Sequence, residues 1–154
     1  MQSEALTEDC VELWLAPVAA THYATQLAGY QALLSVDEQA RWRRFHRAVD
    51  RQRFLVGRAF LRTVLADRLG HRDPAALQFV QQLHGKPVLG GADAGRLQFN
   101  LSHTDDMIVL AVSRDILIIG GMLLAYVLSN PMEVRPAWPC SPAGRCCRWT
   151  ACRS

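Results

Sequence analysis

The sequence predicts an α+β fold with helices packed on a small antiparallel sheet. Helical signals fall in the first half, over about 23–34 and 35–69, while short stretches of strand length crowd into 77–119. Helices first and adjacent strands afterwards segregate, where a doubly wound sheet would alternate them. No internal repeat with a fixed period competes with that reading. A chain of 154 residues that is 50% hydrophobic, with a net charge of +3, suits one buried core. Those values exclude a wholly disordered chain, and ten glycines and seven prolines without a period exclude a collagen-like one.

Each element has its own signal. Cys10–Leu15 alternates Val11, Leu13 and Leu15 with Glu12 and Trp14, a short strand. Residues Tyr23–Leu34 read as a modest helix. Ser35 with Glu38 three residues on is a capping box, and acids there complement the helix dipole. Asp50–Leu69 is the strongest helix: Phe54, Leu61, Val64, Leu65 and Leu69 fall within an arc of about 140°. Val56 and Phe60 lie off that arc, so this helix is expected to touch structure on more than one side. Gly57 reads as a close-packing position and Gly70 as a C-terminal cap.

Strands are predicted at Leu77–Gln81, Arg96–Leu101 and Met107–Val112, with a turn at His84-Gly85-Lys86-Pro87. Ile116–Ile119 reads as a hairpin partner of the 107–112 strand. Beyond Leu128 no helical or strand period survives, which predicts a poorly packed tail. The apolar run Ile116–Leu128 would span about 20 Å as a helix, short of the roughly 30 Å of a hydrocarbon core, so no membrane span is expected.

Charge and cysteine are unevenly spread. Sixteen of the 17 basic residues are arginine and Lys86 is the lone lysine. Cys140, Cys146, Cys147 and Cys152 crowd the end of the chain, whereas a disulfide scaffold would distribute its cysteines. Their spacing lacks the paired knuckles of a zinc ribbon. With three acids and no basic-then-apolar leader in Met1–Asp9, a reducing cytoplasm is expected.

Three segments carry chemistry. Ser35–Arg72 holds ten arginines against four acids, a local +6 that suits an anion, although such density also makes an ordinary solvated helix face. Nucleic-acid binding would need an aromatic platform as well, for which Trp42, Phe45 and Phe54 are weak; none is expected. His84-Gly85-Lys86-Pro87 displays the one compact ammonium at a turn. Phe99-Asn100-Leu101-Ser102-His103-Thr104 ends a strand in short polar groups, with a histidine able to bind an anion or move a proton.

In order, R-R-F-H-x-x-x-D-R-x-R-F-L-x-G-R, H-G-K-P and F-N-L-S-H-T resemble the N-terminal half of the Sfp-type 4'-phosphopantetheinyl transferases over about Ser35–Ser113. The resemblance implies a transferase that moves the phosphopantetheine arm of coenzyme A to a serine of an acyl, peptidyl or aryl carrier protein. It implies two similar α+β halves related by a pseudo-twofold, with coenzyme A and Mg²⁺ between them. It matches Arg53 to a coenzyme A phosphate contact and Arg41 to a further basic contact. Lys86 matches the G-K-P lysine, and His103, beside Ser102, the histidine that contacts the 3'-phosphate. Glu38 stands where some relatives carry a lysine.

The chain departs from the family after residue 115. The G-x-D-x-E acids that bind Mg²⁺ are expected directly after the apolar strand, but Ile116–Gly121 reads ILIIGG. No tryptophan-lysine-glutamate motif follows. Residues 1–115 therefore read as the N-terminal half, and 116–154 as an atypical tail whose composition matches out-of-frame reading of GC-rich coding DNA. The chain is expected to bind coenzyme A weakly without transferring the arm, with no catalytic or metal-ligating residue of its own. Self-association is expected through the edge and apolar face that the other half covers. The alternative is a non-enzymatic module that binds polyanions or a carrier protein through the arginine-rich helix.

Overall fold

A computed structural model describes residues 10–18, 26–70, 73–83, 85–114, 133–136 and 147–152. Strand β1 (Cys10–Pro17) lies at the centre of a five-stranded sheet of order β4-β5-β1-β7-β6. Strands β4 (Gln98–His103) and β5 (Met107–Ser113) form a hairpin, and β5 runs antiparallel to β1 with Leu13 opposite Ala111. On the other side β1 pairs with β7 (Cys147–Cys152), which pairs with β6 (Glu133–Pro136). A separate hairpin joins β2 (Phe79–Gln81) to β3 (Pro87–Leu89). Every ladder is antiparallel, so the predicted α+β architecture is what the chain adopts.

Among the described residues three α-helices precede β2: α1 (Leu27–Leu33), α2 (Val36–Arg43) and α3 (Ala48–Arg68). The capping box at the start of α2 forms as predicted. Ser35 Oγ accepts the Glu38 N–H at 3.3 Å while the Ser35 N–H donates to Glu38 Oε2 at 2.9 Å. Gly70 follows the end of α3 with φ +95°, a conformation that favours glycine.

The pleat sorts the sheet residues. Ala16, Phe99, Ile108, Leu110 and Val112 share one face and form a single core with Val56, Phe60, Leu61, Val64 and Leu65 of α3. Val11, Leu13 and Ala111 form a smaller cluster on the opposite face. Burial of Val56 and Phe60 beside Leu61 and Leu65 shows α3 packed on several sides, as their positions off the main arc predict.

Some expectations meet a different outcome, one goes untested and one strand was not foreseen. Phe54, assigned to the core stripe, is half-buried and lines a cleft, with Arg41 and Phe45 as its ring neighbours at the N-terminal end of the helix. The described neighbours of β5 are β4 and β1, and the hairpin partner expected at 116–119 lies outside the described residues. Strand β3 carried no sequence signal because it has three residues and begins with proline, which fits only a strand's first position or edge. Beyond residue 128 two strands exist where no period predicts them; backbone pairing along the free edge of β1 needs no apolar alternation.

Candidate functional site

The arginine-rich segment divides into structural and cleft-facing parts. Glu38 on α2 is the hinge of that division. Its Oε2 accepts from Arg62 Nε at 2.8 Å, and its Oε1 accepts from Arg58 Nε at 2.6 Å and from Arg58 Nη2. Burial pushes the Glu38 carboxyl upward, but the Arg58 charge and the bonds from Arg62, the Ser35 N–H and Arg58 outweigh it and hold the group below its ordinary value. Burial lowers the Arg58 pKa, as do the neighbouring Arg62 and Arg41 charges, while Glu38 opposes them.

Arg62 is 1% exposed and completes the clamp. Its Nη1 donates to the carbonyls of Pro74 at 3.0 Å and Leu77 at 2.9 Å, tying α3 to the segment that enters β2. Phe79 lies under both guanidinium groups, 4.8 Å from Arg58 and 5.1 Å from Arg62, and meets Phe99 edge-on at 5.8 Å.

Beside this clamp a cleft of about 410 Å³ opens between α2, α3 and the end of β4. Arg41, Arg53, Arg58 and His103 line it, with Phe45 and Phe54 as an aromatic wall and Asp50 as the one acid among the lining residues. Arg41 packs over Phe54 at 5.5 Å, and Phe54 meets Phe45 at 5.2 Å. Arg53 is held by Asp105 at 3.2 Å and Asp50 at 3.5 Å, while its buried Nε has no hydrogen-bond partner among the described residues. Guanidinium groups from α2 and α3, with an imidazole from β4 beside them, make this a place for an oxyanion.

The structure thus brings together Arg41, Arg53 and His103 from separate sequence segments. Lys86 is half-buried beside Pro87, which lines the same cleft. Its position follows from a tight turn in which the Gly85 N–H donates to the Gln82 carbonyl and the Gln82 N–H to the Lys86 carbonyl. Gly85, at φ +76°, supplies the required left-handed step. His84 lies outside the described residues. Ser102 is exposed and, one residue from His103 along β4, is directed to the opposite face of the sheet from the cleft.

Sequence reasoning missed Glu38, Asp105 and Asp50 as partners of these arginines. Only the capping-box spacing hinted at Glu38, and it accounts for just one of that residue's two tasks. Asp105 meets Arg53 across 52 residues, which no local pattern records.

Magnesium, which the resemblance implies, does not fit this donor set. It needs hard oxygen ligands, usually one or two carboxylates with substrate phosphates. Here Glu38, Asp50 and Asp105 each face arginine. Among the described residues no group of three or more His, Cys, Asp or Glu side chains could share a metal ion. The acid-motif position at 116–121 and the side chains of the cysteine cluster lie outside the described residues. No described helix is long and apolar enough to cross a membrane.

The profile of the family described as "4'-phosphopantetheinyl transferase, N-terminal" matches residues 21–115. A Thraustochytrium sp. protein named phosphopantetheinyl transferase is 41% identical over 102 residues, covering 65% of this chain and 35% of the relative. The 4'-phosphopantetheinyl transferase HetI of Nostoc sp. is 40% identical over 110 residues, covering 70% of this chain and 45% of the relative. The aligned part of the chain thus spans less than half the length of each.

Proposed function

The chain belongs to the 4'-phosphopantetheinyl transferase family, matching its N-terminal domain, and from that premise we propose that residues 1–115 are the half that holds the phosphates of coenzyme A. One observation carries the reading: Arg41, Arg53, Arg58 and His103 line a single cleft, with Lys86 next in sequence to the lining residue Pro87. Coenzyme A offers a pyrophosphate and a separate 3'-phosphate, and a dispersed set of arginine, lysine and imidazole donors can engage both. Arg53 and Arg41 contact phosphate oxygens, and His103 and Lys86 hold the 3'-phosphate end. The orphaned Nε of Arg53 supports this assignment, since a buried donor needs an acceptor.

Residues 116–154 are an atypical tail in place of the family's metal-binding half. The supporting fact is the absence of acid from ILIIGG at 116–121. Phosphoryl transfer rests on in-line positioning, on a metal that neutralises developing charge and on a base for the serine hydroxyl, and the cleft arginines supply phosphate binding and positioning without a set of metal-ligating carboxylates. We therefore propose that the chain binds coenzyme A in a reducing cytoplasm and does not modify a carrier protein. The end strand β4 and the sheet beside it would favour self-association.

Calorimetry with coenzyme A tests the binding half of this reading. Removing the 3'-phosphate, or making Lys86→Ala or His103→Ala, should weaken binding about tenfold. Affinity that follows any polyanion and collapses with salt would instead favour a general polyanion module. The mass of an apo carrier protein after incubation with coenzyme A and Mg²⁺ tests the other half: unchanged mass is expected, and full modification would sink the proposal.

A further inference from the structure

The turn between β4 and β5 carries Asp105 to the rim of the cleft, where its Oδ1 accepts from Arg53 Nη2 at 3.2 Å. The partners are unequally placed, since the Arg53 side chain is 18% exposed and that of Asp105 is 92% exposed. The backbone around Asp105 is fixed. The Thr104 N–H donates to the Met107 carbonyl at 2.8 Å, the Val18 N–H donates to the Asp106 carbonyl at 2.9 Å, and Thr104 Oγ1 accepts the Met107 N–H at 3.2 Å. A carboxylate in water is thus tethered next to the guanidinium that forms one wall of the cleft.

Resting on the phosphate-binding reading above, we infer that Asp105 is a specificity-determining residue of the cleft: it occupies Arg53 and must be displaced by an incoming phosphate. Asp50 is placed differently: it lies three residues from Arg53 on the same helix, is 32% exposed, stands farther from Arg53 at 3.5 Å and also pairs with Arg47 at 3.8 Å. A simple carboxylate ligand offers Arg53 only the bond that Asp105 already offers. The tethered group has the advantage of an effective concentration in the millimolar range. A pyrophosphate brings more charge and more oxygens, and the cleft it enters is lined by Arg41, Arg58 and His103 as well as Arg53. Asp105 therefore sets a threshold that multiply charged phosphates pass and weak carboxylate ligands do not.

Asp106 is the internal control, being adjacent, acidic and exposed, with a side chain outside the Arg53 ion pair. The test is calorimetric titration of the full chain with inorganic pyrophosphate at fixed ionic strength, for the wild type, Asp105→Asn and Asp106→Asn. Asp105→Asn should tighten binding by about two- to fivefold, the range of an exposed ion pair, while Asp106→Asn changes it by less than about 1.5-fold. Equal gains in both variants would reduce Asp105 to a general charge effect and overturn the inference. Wild-type binding with no gain in Asp105→Asn would also overturn it, leaving the phosphate-binding reading intact. No binding in any of the three proteins would overturn that reading as well.

Discussion

Glu38 Oε2 accepts from Arg62 Nε at 2.8 Å, and this contact fixes α2 against α3. Because the Arg62 side chain is 1% exposed and that of Glu38 is 11% exposed, removing Glu38 leaves the buried Arg62 charge with carbonyl acceptors but without its carboxylate. Glu38→Ala should cost about 3–5 kcal/mol of stability in urea unfolding. Ser35→Ala, which removes only the cap acceptor, should cost about 1 kcal/mol. A Glu38→Ala loss no larger than that of Ser35→Ala would show that the carboxylate serves only the cap.

The same residue gives stability a pH dependence. Burial alone would raise its carboxyl, but Arg58, Arg62 and the Ser35 N–H hold it below the ordinary value of 4.5. The unfolded chain therefore takes up this proton first as pH falls. The contribution is fully present above about pH 4.5 and is lost as pH falls through the lower folded value. Unfolding measured from pH 7 to pH 3 should show an acid-dependent loss that is smaller in Glu38→Gln. Superimposable profiles would exclude Glu38 as its source.

The legibility of this molecule followed the range of its interactions. Local chemistry announced itself: the Ser35–Glu38 box, the long helix, the Gly70 cap and the alternating 96–101 strand are all written within a few residues. The cleft was partly legible because Arg53 and His103 sit in motifs that resemble the family's, and that resemblance implied a shared ligand for them and for Arg41 just upstream. Long-range pairing was not. Nothing near Arg58 or Arg62 shows that Glu38 engages both, and nothing near Arg53 points to Asp105. Phe54 misled because helical phase reports the side of a helix, while what covers that side depends on the rest of the fold.

Gly57 offers a stabilising change. A Cβ built there would sit 3.7 Å from Ile108 and 3.8 Å from Leu101, ordinary van der Waals contact, so the close packing suggested by sequence leaves room for a methyl group. Glycine within a helix is destabilising relative to alanine by roughly 0.5–1 kcal/mol. Gly57→Ala should raise stability by about that amount in urea unfolding. A destabilised variant would mean that the helix and the strand end cannot accept the methyl group.

Phe54 should matter to binding more than to folding. Its ring lies 5.5 Å from the Arg41 guanidinium and 5.2 Å from the Phe45 ring, so it orients a cleft cation from a half-buried position. Phe54→Leu retains an apolar side chain and removes the π face. A cation–π contact near the surface is worth about 0.5–1 kcal/mol. Coenzyme A affinity should therefore fall about two- to fivefold by calorimetry, while urea unfolding shifts by less than about 1.5 kcal/mol, the range of a conservative apolar swap. The combined readout separates two roles for the ring. If it merely fills space, stability falls and affinity holds; if it aims Arg41 at a phosphate, affinity falls first.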